Sequence, residues 1–93
     1  MAQNTKITLP PGEWTQITDA DVTTITFQNQ SGGEMWVVGA ADATAPSGFE
    51  EALTYAPGSG ERNAALADLF PGISAVRVYA YSAGGAQVFV SHA

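Results

Sequence analysis

The chain has 93 residues, no cysteine, nine acidic against three basic side chains and a formal net charge of −6. That length holds a single core, and the missing cysteine excludes disulfides, thiolate metal sites and a cysteine nucleophile. Lys6, Arg62 and Arg77 form no basic stripe for phosphates, so binding to nucleic acid or an anionic membrane is disfavoured, as is an enzyme working with one histidine.

No apolar run approaches the roughly 20 residues of a membrane span, and Met1 to Leu9 lacks the apolar stretch of a secretory signal. The chain is expected to act where it is made, or inside something assembled there. Residues 1–5 read as a flexible polar arm, and residues 6–93 as one β domain.

Lys6 to Leu9 alternates polar and apolar residues, as a half-buried strand does, and stops at Pro10-Pro11-Gly12. Glu13 to Ile17 resumes with Trp14 and Ile17 out of strict alternation, which predicts a bulge or a short bent strand. Val22 to Asn29 sets Thr23, Ile25 and Phe27 against Thr24, Thr26 and Gln28, the clearest strand pattern in the chain. After the turn residues Ser31-Gly32-Gly33, Met35 to Ala40 is apolar on both faces. Its second cover comes either from a neighbouring subunit or from this chain's own loops.

Ala41 to Gly48 reads as a loop and Glu51 to Tyr55 as a short strand. Ala56 to Gly60 is a breaker. Asn63 to Phe70 is the one helical candidate, capped by Asn63 and ended by Pro71-Gly72. Val76 to Tyr81 places Val76, Val78 and Ala80 against Arg77, Tyr79 and Tyr81. Ser82 to Gly85 turns the chain, and Ala86 to Ser91 closes a hairpin. The expected fold is all-β: a small antiparallel sandwich or barrel of six to seven short strands with one short helical connector.

Chemistry-bearing constellations are few, and no cofactor or metal is expected. His92 beside Ser91 lacks a nucleophile elbow, so it reads as a frayed or surface histidine. Asp19 and Asp21 lack the rest of a calcium loop, Glu50 and Glu51 are adjacent rather than facing, and Asn29-Gln30-Ser31 reads as a chance glycosylation sequon. The aromatics carry more information. Trp14, Trp36, Tyr55, Tyr79, Tyr81 and Phe89 fit core or subunit-interface packing, with stacking against sugar rings as the alternative. Tyr79 and Tyr81, on the Arg77 side of their strand, are the least core-like. The interface candidates are Trp14, Trp36, Arg77, Tyr79, Tyr81 and Lys6. Sheet edges in this chain have a single lysine to guard them, which favours a homo-oligomer or docking on a larger lattice.

The opening Trp14-Thr15-Gln16-Ile17, the strand end Phe27-Gln28-Asn29 followed by Ser31-Gly32-Gly33, the strand Val76-Arg77-Val78-Tyr79-Ala80 and the closing Val88 to Ser91 together resemble small virion proteins of tailed bacteriophages. The resemblance spans most of the chain. It implies a non-enzymatic capsid decoration (cement) protein, a homotrimer bound to the major capsid protein or another virion protein, located in the virion. A carbohydrate-binding or receptor-binding β module of a tail or fibre is the alternative.

Overall fold

Alternation decides the central strand: Ile25, Phe27 and Asn29 are buried while Thr24 and Gln28 are exposed, because successive side chains leave a strand on opposite faces. Thr23 precedes the strand and is exposed. The computed structural model describes residues 3–18, 21–41, 52–71 and 74–92. The elements are β1 (Gln3–Leu9), β2 (Thr15–Gln16), β3 (Thr24–Asn29), β4 (Met35–Ala40), β5 (Leu53–Tyr55), β6 (Gly60–Ala65), α1 (Leu66–Leu69), β7 (Arg77–Tyr81) and β8 (Ala86–His92).

Two four-stranded antiparallel sheets face each other as a β-sandwich. The first has the order β1-β8-β3-β6, the second β2-β7-β4-β5. Leu9, Ile25, Phe27, Val88 and Val90 from the first sheet meet Met35, Val37, Tyr55, Val78 and Ala80 from the second. Ile17 and Val22 from the connections, and Leu66 and Phe70 at the helical turn, complete the core.

The described residues form eight strands, where the pattern predicts six to seven, and the one it does not contain is β6. Gly60 starts it instead of ending a breaker, and Asn63 lies inside it instead of capping a helix. The cause is a partner the local pattern does not contain. Glu61, Ala64 and Ala65 pair with Phe27, Ile25 and Thr24, and an irregularity in register falls between Ile25 and Phe27. The extra residue is absorbed at Asn63, whose φ of 47° lies in the left-handed region that asparagine tolerates better than most residues. Its N–H donates to Thr26 Oγ1 at 2.8 Å. Gly60 is needed for close approach, since a Cβ there would meet the Phe27 carbonyl oxygen. The helix shrinks to Leu66–Leu69 with no side-chain cap.

Two other expectations change. β1 begins at Gln3, so residues 3–5 of the expected arm run as strand, paired with Val90 to His92. His92 is buried at the end of β8, where the ladder with β1 runs out to the Gln3–His92 pair and keeps the strand from fraying. Of the two covers left open for β4, this chain supplies cover on the outer face at Val38, which is buried like Val37 on the inner face, while Trp36 and Ala40 stay half-exposed. At Gly39 an added Cβ would strike the Phe70 ring at 2.5 Å and Ala75 at 2.8 Å, so Phe70 packs directly on the strand.

Candidate functional site

Register places four of the six interface candidates on the outer face of the second sheet, and a ring contact adds a fifth. Trp36 pairs with Tyr81, Val38 with Tyr79 and Ala40 with Arg77, while Gln16 pairs with Tyr79 from the other side. Paired residues in a ladder share a face, so Gln16, Trp36, Arg77, Tyr79 and Tyr81 all point away from Val37, Val78 and Ala80. Trp14, just before β2, reaches the same face and lays its ring 5.3 Å from that of Tyr81, tilted by 48°. Trp36 meets Tyr81 from the opposite side, edge to face, at 5.9 Å. Tyr81 is thus the middle ring of three, and all three are half-buried in the single chain.

The polar groups of this face are ordered. Arg77 Nε donates to Asp21 Oδ1 at 2.8 Å, on the rim. Tyr79 Oη donates to Gln16 Oε1 at 3.2 Å, and Gln16 Nε2 donates in turn to the Thr18 carbonyl at 2.9 Å. Tyr79 corrects one expectation: it is 5% exposed, a packed residue and not a presented one. It is paired with Gln16 on one side and Val38 on the other, and its hydroxyl is held by Gln16. Beside Trp36, Gly33, Glu34 and the turn Ser82 to Gly85 line a shallow groove at the end of the sandwich.

Lys6 is not part of this face. It projects from β1 on the outer side of the first sheet, directly opposite Phe89. Of the remaining aromatics, Tyr55 is core: its ring meets Phe27 edge to face at 4.9 Å, and its hydroxyl donates to Glu61 Oε2 at 3.0 Å. Burial, reinforced by the bond to Glu61 and the carboxylate's charge, pushes the Tyr55 phenol well above its ordinary range.

The sequon asparagine is structural. Asn29 is fully buried, and its Nδ2 donates to the carbonyls of Gly33 (2.8 Å) and Tyr55 (3.1 Å), while its Oδ1 accepts from the Ser31 N–H and hydroxyl. Sequence reasoning missed this, although Asn29 falls on the Ile25 and Phe27 side of β3. Among the described residues no three His, Asp or Glu side chains gather as metal ligands, and no helix is long and apolar enough to cross a membrane. Asp19, Glu50 and Glu51 lie outside the described residues.

No family model, no curated protein and no solved structure matches the chain.

Proposed function

We propose that the chain is a non-enzymatic structural protein of a bacteriophage particle, a homotrimeric decoration protein that docks on the head shell through the major capsid protein. The observation that carries this reading is the Trp14, Tyr81 and Trp36 cluster on the outer face of the second sheet, with the Arg77–Asp21 pair at its rim. Aromatic anchors surrounded by a polar rim are the anatomy of protein interfaces, where tryptophan, tyrosine and arginine supply most of the binding energy. The edges of the sandwich support it as well. β2 and β5 are too short to invite pairing and β6 is interrupted at Asn63, but β1 is a seven-residue edge guarded by Lys6 alone. Contacts made only on an assembled shell stabilise it by mass action, and that asks for no catalytic group.

Light scattering on a size-exclusion eluate at physiological salt tests the reading, together with co-sedimentation on emptied phage heads. A mass near three chains, lost in Trp36→Ala, is the expected result. A monomer that also fails to co-sediment overturns the proposal.

The half-exposure of the three rings favours one second reading, a saccharide-binding or receptor-binding module using the same face. Iodide quenching of tryptophan separates the two. Trp14 and Trp36 become shielded on self-assembly in the first case, and only on adding oligosaccharide in the second.

A further inference from the structure

The outer face of the first sheet has a charge pattern unlike the rest of the molecule. Register aligns Lys6, Phe89 and Gln28 across β1, β8 and β3, and Gly60 of β6 lies opposite Gln28. Arg62 joins Phe89, Thr26 and Gln28 in lining a groove of about 340 Å³ on this face. Two of the three cations of a −6 chain therefore flank one half-buried phenylalanine. Both are exposed, and neither has an ion-pair partner among the described residues. One described carboxylate, Glu61, lines this groove, and it accepts the Tyr55 hydroxyl. Asp21 holds Arg77 and Glu34 lies by Trp36, both away from it. The rest of the face is Thr8, Thr26, Gln28, Gln87 and Ser91, which are neutral hydrogen-bonding groups.

The spacing says what fits. Lys6 and Arg62 lie about 14 Å apart across the sheet, with Phe89 between them, and Arg62 stands two residues along β6 from Gly60, about 7 Å off that line. Their backbones are therefore roughly 16 Å apart, a span their long side chains shorten. In an extended chain, residues i and i+4 are about 13 Å apart, lie on one face, and carry residue i+2 between them. We propose that this face docks an extended acidic segment of another polypeptide, with carboxylates four residues apart for Lys6 and Arg62 and an apolar side chain between them for Phe89. This chain's own described sequence has no such triplet, so the occupant is a different protein. The surface is separate from the aromatic face of the second sheet, and neither depends on the other.

Amide chemical shifts of the full chain, titrated with the peptide Ser-Glu-Thr-Leu-Thr-Glu-Ser, test it. Shifts confined to β1, β8, β3 and β6 are expected, with a Kd of about 1 mM for so short a segment. Lys6→Glu and Arg62→Glu, both at exposed positions, each weaken binding about fivefold, as removal of a rim charge pair does. Phe89→Ala removes the saturable response, and because that variant can lose stability the peptide carries the second arm. Replacing its central leucine by serine, or making the carboxylates adjacent, lowers the affinity of the unaltered protein. Equal binding of the lysine peptide Ser-Lys-Thr-Leu-Thr-Lys-Ser overturns the proposal. So do shifts that map to the second sheet, tighter binding of trigalacturonate, or no response at about 5 mM peptide.

Discussion

Tyr55 Oη donates to Glu61 Oε2 across 3.0 Å, and this bond ties β5 of the second sheet to β6 of the first at the side where both sheets end. The same tyrosine packs its ring on Phe27, and its carbonyl accepts from Asn29 Nδ2. One residue therefore closes an edge of the sandwich through its hydroxyl, its ring and its backbone.

Tyr55→Phe is expected to cost roughly 1 to 2 kcal/mol, the range for a hydrogen bond to a charged group at a half-buried site. It also changes the alkaline limb. The folded state holds the phenol neutral to higher pH than the unfolded chain does. This stabilisation is complete below the unfolded pKa of about 10 and is lost as pH rises from there. Urea midpoints measured from pH 8 to 11 fall in the unaltered protein, and the tyrosine's share of that fall disappears in Tyr55→Phe.

Asn29→Ala removes, from a fully buried position, the donor to the carbonyls of Tyr55 and Gly33 and the acceptor of the Ser31 N–H; the Gly33 carbonyl keeps only the Ser31 hydroxyl. Loss of a buried polar network of this size is expected to cost about 3 kcal/mol. For a domain of this length that lowers Tm by roughly 12 to 24 °C in calorimetry. Asn29→Asp keeps the acceptor for Ser31 but loses both donors, and places a charge against two carbonyls, so it is no milder.

Three glycines separate crowding from conformational entropy. Gly39→Ala drives a methyl into Phe70 and Ala75 and is expected to cost about 1 to 3 kcal/mol. Gly60→Ala meets the backbone of Phe27, which cannot move aside without disturbing the β3–β6 ladder, and costs at least as much. Gly84→Ala has open space and no left-handed backbone, so it is neutral or stabilising by about 0.4 to 1 kcal/mol through the unfolded chain. Chemical denaturation of the three variants gives the ranking.

Asp21→Asn removes the carboxylate that Arg77 holds at 2.8 Å, at a site where the aspartate is 62% exposed. Solvent screening limits the cost to under about 1 kcal/mol. A larger loss in the denaturation midpoint contradicts this account of the rim.

Much of the sandwich is legible in the chain because period-two alternation is local. Ile25 and Phe27 against Thr24, Thr26 and Gln28, and Val78 and Ala80 against Arg77 and Tyr81, state a strand and its buried side from neighbouring residues alone. The grouping of Trp36, Arg77, Tyr79 and Tyr81 on one face follows from the same rule once β4 and β7 are paired. The absence of cysteine and the scarcity of cations were likewise properties of composition, and they narrow the chemistry without any coordinates.

What only the tertiary structure decided is whatever depends on a distant partner. Gly60 to Ala65 carries no alternation, and it becomes a strand because β3 offers an unpaired edge beside it. Tyr79 is packed and Tyr81 half-open although both occupy outward positions two residues apart, since burial depends on what lies across the strand. Asn29 looks like a turn residue until the carbonyls of Gly33 and Tyr55 converge on it. Lys6, Phe89 and Arg62, scattered over the sequence, come to one face because the sheet order β1-β8-β3-β6 sets the first, last and middle strands side by side. Local sequence sets which face a side chain takes, and strand order, which is non-local, sets its company.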